Sequence, residues 1–410
     1  MDLRLHKIWL STLVLVCTLP LLGGNTDWPQ YRGPDRNGEA STTAITPWAD
    51  SGPRVLWKRD LGSGFSEITV ANGKLFTMYA EGESESRNEY AACLNPANGE
   101  VIWKVAVDTE FKDEFGDGPR STPTYDDNRL FVLSSRGHFM ALNPDTGATL
   151  WDVQFTEMFS SSVPRWGFST SVLIEGDLVI VETGALKGEA FAAFDKKAGT
   201  LKWKAADGQE GMTGYNSPIA ATINGQRQLI FAVGDNLTAI DLNGQQLWNH
   251  AWAERTMTIA MPLFVPPNQI FVSASGRGGG ALIEVSQSDP LTKEVWKTRQ
   301  IKNHFSSSIL FEGHLYGFDN ATMKCIAVED GSQKWAKRGF GKGSLILSGN
   351  QLVIFGDQGT LALAQASPEE YQELATFQAL EGKCWTAPAM VDGVIYLRNH
   401  QQIAAYTLAQ

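Results

Sequence analysis

The sequence predicts an all-β protein, an eight-bladed β-propeller of four-stranded antiparallel blades closed by its own N-terminal strand. Two independent repeats point to it, and the incomplete last repeat supplies the closure. The first repeat is a Gly four residues ahead of a Trp, in Gly99/Trp103, Gly147/Trp151, Gly199/Trp203, Gly244/Trp248 and Gly331/Trp335. Trp57 and Trp296 fill the same slot without the aligned Gly, and the successive Trp spacings are 46, 48, 52, 45, 48 and 39 residues. A further step of 42 reaches Phe377, at the end of a degenerate copy.

Upstream of the Gly an apolar strand end runs into Asn or Asp, as in Leu94-Asn95-Pro96, Leu142-Asn143-Pro144 and Ile240-Asp241. That is hairpin chemistry, because Asn, Asp and Gly tolerate the backbone angles of tight turns. The second repeat is a turn pair ahead of an alternating strand. It occurs at Asn72-Gly73, Asp127-Asn128, Gly176-Asp177, Asn224-Gly225, Pro267-Asn268, Glu312-Gly313, Gly349-Asn350 and Asp392-Gly393. Eight units of about 45 residues, each with short strands, match propeller blades. The last unit, from Trp385 onward, holds three strands. Residues 53–61, with Trp57 in the terminal-strand slot, supply the fourth and remove an exposed sheet edge. Helical repeats do not fit, and only residues 366–374, with Pro368-Glu369-Glu370, resemble a helical turn.

Composition excludes several classes. The 410 residues are 43% hydrophobic and 19% charged, enough apolar material for a large core and against extensive disorder. A net charge of −11 argues against a nucleic-acid partner and against polybasic attachment to anionic lipid.

Residues 1–24 read as a secretory signal. Arg4, His6 and Lys7 precede an apolar run of about 15 residues, and Gly23-Gly24 follows. A spanning helix needs roughly 20 residues, so cleavage and export are expected, with no membrane span left in the mature chain. Cys17 follows the bulky Val16, which speaks against lipoprotein processing. The organisation is a signal peptide at 1–24, a leader at 25–52 and a single propeller at 53–410. The expected location is the periplasm or cell envelope. Cys93, Cys325 and Cys384 remain after cleavage without C-x-x-C spacing, which makes buried free thiols the expectation and a metal site unlikely.

The unit from Ala141 to Trp151, A-L-N-P-D-T-G-A-T-L-W, is similar to the tryptophan-docking repeat of the pyrroloquinoline-quinone (PQQ) propeller superfamily. That superfamily includes quinoprotein alcohol dehydrogenases and non-enzymatic BamB-like envelope proteins. The leader D-W-P-Q-Y-R-G-P-D-R-N-G (Asp27 to Gly38), W-G-F-S at Trp166 to Ser169 and K-N-H at Lys302 to His304 resemble a PQQ-like subgroup common in Planctomycetes. The resemblance implies that Trp57, Trp103, Trp151, Trp203, Trp248, Trp296 and Trp335 dock adjacent blades, each indole N–H satisfied by backbone. Trp28 and Trp48, outside the repeats, are expected to matter less to stability than Trp151 or Trp203.

The resemblance also frames the catalytic question. Quinoprotein dehydrogenases hold PQQ in the central funnel with Ca²⁺, a carboxylate base and a disulfide of adjacent cysteines. This chain has no adjacent cysteine pair, and Glu67, Asp117 and Glu182 read as scattered, solvated carboxylates. The histidines after the signal (His138, His250, His304, His314, His400) are far apart, and H-E-x-x-H, G-x-S-x-G and P-loop patterns are missing. The Gly276 to Gly280 run reads as a loop between strands rather than a phosphate cradle.

Small hydroxyl residues recur where inner strands should line the channel: Ser121-Thr122, Ser169-Thr170-Ser171, Ser217, Ser306-Ser307-Ser308, Ser344 and Thr386. Crowding of narrow inner strands explains them, and a polar funnel is the functional alternative. Arg165, Trp166, Asn303, His304, Lys342 and Trp385 flank these strands and are the candidate ligand-binding residues. The leading functional expectation is a non-catalytic exported scaffold that binds protein or a small ligand on a propeller face, with no cofactor. The alternatives are a PQQ- and Ca²⁺-dependent oxidoreductase, and a carbohydrate-binding propeller using Trp28, Tyr31, Trp48 and Trp252.

Overall fold

In the computed structural model, which describes residues 27–41, 45–83 and 86–408, eight sheets of four antiparallel strands make up the molecule, one of them extended by a short parallel strand. The signal-peptide region and Cys17 lie outside the described residues. The first blade shows the plan: Thr69–Ala71 innermost, then Lys74–Glu81, Asn88–Leu94 and Val101–Thr109 outermost. The turn pairs sit between the two inner strands as expected. Asn72, Asp127, Asn128, Asn224, Glu312 and Asp392 adopt positive φ there, the conformation that Asn and Asp tolerate best.

Closure follows the expected route. Arg54–Asp60 pairs antiparallel with Gln402–Thr407, placing Trp57 opposite Ala405 as the outer strand of the eighth blade. A buried Arg reinforces this junction from within. Arg398 of the last blade donates to Ser66 O (3.1 Å), Met78 O (2.8 Å) and Gly62 O (3.2 Å) of the first.

The docking aromatics explain the Gly-x-x-x-Trp spacing physically. The indole N–H of Trp57, Trp103, Trp151, Trp203, Trp296 and Trp335 donates to a backbone carbonyl in the next blade, at 2.6–3.2 Å. For five of these, Trp335 excepted, the ring then lies against the Gly of that same turn. A Cβ on Gly99 would stand 2.5 Å from Trp57, and one on Gly199 would stand 2.6 Å from Trp151. Trp248 departs from the rule, facing a turn of the fifth blade that has no Gly. It donates instead to Gln228 Oε1 of its own blade, at 2.8 Å. Phe377 is the docking residue of the seventh blade, and its Gly is Gly52, five residues before Trp57.

Several expectations need correction. The helical turn expected at 366–374 does not form: the chain bends at 368–369 and Gln372–Gln378 pairs with Thr360–Gln365 as the outer strand, which overrides the local signal. The helix present among the described residues is Phe155–Met158. Trp28 is 1% exposed, whereas Trp151 and Trp203 are only half-buried, so burial runs opposite to the order expected for their weight in stability. Trp28 and Trp252 are also too buried to serve as rim platforms for a sugar, and Trp48 packs against the core of the closing blades. Glu67 and Glu182 are buried, not solvated.

The leader, residues 27–41, crosses the channel. Trp28 bridges to Val70 of the first blade, and Pro29 O accepts from Tyr125 N of the second. Arg36 donates to Ser171 O (3.1 Å) and Val172 O (2.8 Å) of the third, and Arg32 to Ser307 O and Ser308 O (both 2.9 Å) of the sixth. Glu39–Ala40 then pairs in parallel with Ser344–Ser348, the inner strand of the seventh. Two guanidinium groups held in carbonyl cages thus fasten the segment to opposite walls.

Candidate functional site

With the leader across one end, the central channel becomes a cup open at the other. Its volume is about 410 Å³, within the range of small-ligand sites. The floor holds Tyr31 and Arg32 of the leader, together with Glu67. The mouth is built from the connections that lead into the inner strands.

Those connections contribute a continuous aromatic wall. Ring centroids run from Tyr215 to Trp166 (5.5 Å), Trp166 to Phe115 (6.1 Å), Phe115 to Trp385 (6.2 Å) and Trp385 to Phe305 (5.1 Å). Two lysines lie over the indole of Trp385, with Lys383 Nζ 4.6 Å and Lys342 Nζ 5.6 Å from its centroid. Such contacts combine ring electrostatics with packing of the lysine stems.

Of the six candidate residues, Trp166, His304 and Trp385 line the cup. Lys342 stands over Trp385 beside them. Arg165 covers Trp166 from outside (5.0 Å) and pairs with Glu114 at 3.1 Å. Asn303 is 2% exposed and bonds Ser308 Oγ (3.0 Å) and Phe318 O (3.1 Å), a position inside the sixth blade rather than in the cup. Of the aromatics named for the carbohydrate alternative, Tyr31 lies in the cup, whereas Arg32, Phe65, Phe115 and Phe305 were not among the candidates. The motif D-W-P-Q-Y-R-G was visible in the sequence, but its destination was not.

The hydroxyl residues stitch blades together. Glu67 N donates to Thr122 Oγ1 (3.2 Å), Thr122 N to Ser171 Oγ (3.0 Å), and Ser171 N to Ser217 Oγ (2.8 Å). Met261 N does the same to Ser307 Oγ at 2.9 Å. At these four junctions a hydroxyl at the inner strand accepts a backbone N–H from the blade before it. Satisfying buried N–H groups is their first role.

Buried carboxylates do similar work. Glu182 accepts from Gly214 N (2.7 Å) and Asn216 N (3.2 Å), and Glu89 from Ser135 N (2.9 Å) and Phe111 N (3.3 Å). Glu67 accepts Arg32 N at 3.2 Å. Burial pushes Glu67 up to about 8, against the opposing pull of that N–H and of the Arg32 and Arg36 charges. His304 is held down to about 4 by burial and by the Lys342 charge, so it is neutral near pH 7. Cys93, Cys325 and Cys384 are buried free thiols. Among the described residues, groups of three or more His, Cys, Asp or Glu placed to hold a metal are absent. No helix among them is long and apolar enough to cross a membrane.

Residues 87–337, more than half of the chain, match the family described as outer membrane protein assembly factor BamB. The chain belongs to that family. The BamB of Shewanella oneidensis is 23% identical over 292 residues, covering 67% of this chain and 69% of that protein. Among solved structures, BamB from Moraxella catarrhalis superposes with a TM-score of 0.60 at 15% identity, over 85% of this chain and 97% of that one. Quinohemoprotein alcohol dehydrogenase from Comamonas testosteroni gives 0.66 at 11% identity, over 94% of this chain and 81% of that one. At such identities the two structures speak to the fold alone. Family membership and a PQQ-like propeller are common ground for a scaffold and an enzyme, so function must be argued from the site.

Proposed function

We propose that this protein is an exported, non-catalytic binding propeller of the cell envelope, holding a small ligand in its central cup and presenting its loops to protein partners. The observation that carries the reading is the leader, which turns an open channel into a one-ended cup. Three of the candidate residues, Trp166, His304 and Trp385, lie on its wall. Membership of a family described as an assembly factor favours a scaffold in the envelope, and the secretory character of residues 1–24 favours export.

The donor set of the cup gives calcium-bound PQQ little support. Calcium takes six to eight oxygen ligands, several of them carboxylate. The carboxylates lining the cup are Glu67, engaged by Arg32 N, and Asp113, paired with Arg120. Of the three buried cysteines, Cys93 and Cys325 sit in the first and sixth blades and Cys384 in the connection between the seventh and eighth. The test is titration of the mature protein with PQQ and Ca²⁺, followed by dye-linked alcohol oxidation. Native mass spectrometry of protein purified from its own envelope runs alongside. The expected result is a retained small ligand that is lost from a cup-filling Ser306→Trp variant, with no dye-linked turnover. Stoichiometric PQQ binding with turnover would replace this reading by the oxidoreductase.

A further inference from the structure

We infer that the cup takes an acidic saccharide, a pyranose-type ring bearing a carboxylate or sulfate whose charge is met by Lys342 and Lys383. This rests on the binding-cup reading and names its ligand class. Three features of the site argue for it: the shape of the wall, the character of the floor and the charge at the mouth.

The aromatic wall is tilted throughout. Interplanar angles are 59° for Phe115 and Trp166, 51° for Trp166 and Tyr215, 39° for Phe115 and Trp385, and 35° for Phe305 and Trp385. A flat conjugated guest is best held between two parallel faces, which these pairs do not offer. A puckered ring presents apolar C–H patches at several angles and fits a tilted wall. The floor suits its hydroxyl groups. Tyr31 and Glu67 converge there, and a protonated Glu67 both donates and accepts.

Charge at the mouth selects for acid. The chain carries a net charge of −11, and many of its lysines are paired, as in Lys74 with Asp145 and Lys196 with Asp126. Among the described residues the ammonium groups of Lys342 and Lys383 meet no carboxylate within 4 Å, both lie over Trp385, and Lys383 Nζ donates to Phe115 O at 2.5 Å. Two cations beside an apolar cleft focus a positive potential where an otherwise acidic protein would repel an anion.

The experiment is titration followed by tryptophan fluorescence and calorimetry, using four probes. They are a hexuronate trisaccharide, a sulfated disaccharide, its uncharged parent and naphthalene dicarboxylate. At least one acidic sugar should bind saturably, about tenfold tighter than the uncharged parent and more weakly as salt is raised. The two acidic probes separate a carboxylate from a sulfate ligand. The double variant Lys342→Gln/Lys383→Gln should lose about tenfold in affinity for the acidic probe, with no loss for the uncharged parent, and Trp385→Phe should retain binding better than Trp385→Leu. Equal binding of acidic and uncharged sugars, or unchanged affinity in the lysine variant, would overturn the inference. Tight binding of the naphthalene probe alone would overturn the ligand class and leave the cup standing. If none of the four binds and the Ser306→Trp variant retains the same native ligand as wild type, the cup reading fails as well.

Discussion

Gly147 and Trp103 share one space: a Cβ built on Gly147 would stand 2.8 Å from Cε3 of Trp103 in the preceding blade. The same residue has φ of +74°, and Trp103 Nε1 donates to Pro144 O in the same turn. One turn therefore supplies both the seat and the hydrogen-bond acceptor for its neighbour's indole.

Gly147→Ala should accordingly cost about 2–4 kcal/mol, combining overpacking with an unfavourable positive φ. Gly176 provides the control. It also has positive φ (+59°), but a Cβ there meets nothing within 4 Å. Gly176→Ala should cost only about 1 kcal/mol. Equilibrium denaturation of the two variants checks the difference, and equal losses would show that the Trp–Gly seat carries no packing energy.

The junction between last and first blades hangs partly on Arg398. Arg398→Met keeps most of the volume but strands the carbonyls of Ser66, Met78 and Gly62. A loss of about 3–5 kcal/mol is expected. Deletion of residues 53–61 should be worse, since it exposes the edge of Gln402–Thr407 and should produce aggregation visible by light scattering. Wild-type unfolding in either variant would separate closure from stability.

Trp28 anchors the leader inside the core. Trp28→Ala should cost about 3–5 kcal/mol, as for other large-to-small changes at buried aromatics. Trp203→Ala, at a half-buried ring, should cost less. The Trp28 change should also loosen the cup floor, so ligand affinity and stability fall together. Circular dichroism melts and ligand titration on one sample test both.

Stability should fall as pH rises from 6.5 to 8.5. Burial raises Glu67 and Glu182 to about 8 and Glu89 to about 7, so in this window the folded chain retains protons that an unfolded carboxylate near 4.5 has released. Binding more protons when folded means losing stability with rising pH, by about 1–2 kcal/mol for a carboxyl such as Glu67. His304, lowered to about 4, acts oppositely, but only as pH falls below its unfolded value near 6.5. Glu67→Gln should flatten the alkaline decline in melting temperature. A decline of the same size in this variant would assign it to other groups.

Much of the fold is legible because its determinants are local and repeated. Asn95 to Gly99 and Asn143 to Gly147 announce hairpins within a few residues. Eight copies at one period leave a propeller as the only economical way to bury every sheet. The seat of Phe377 was half legible: the degenerate strand could be read, but Gly52 sits one residue out of phase and escaped the spacing rule. The candidate site was legible only at its mouth, where Trp166, His304 and Trp385 precede inner strands. Asn303 has the same address in the sequence, yet its side chain turns into the sixth blade to bond Phe318 O.

The sequence by itself determined the blade number and the repeated Gly and Trp positions, because both follow from turn chemistry and period within some 50 residues, and the three-strand last unit left residues 53–61 as the closing strand. Tertiary structure alone decided what fills the channel. Arg32 meets Ser307 across 275 residues of chain, and Glu67 meets Thr122 across 55. Such partners share no local pattern. Their inner strands come together only when all eight blades close, and only then do the leader, the buried carboxyl and the aromatic wall become one cup.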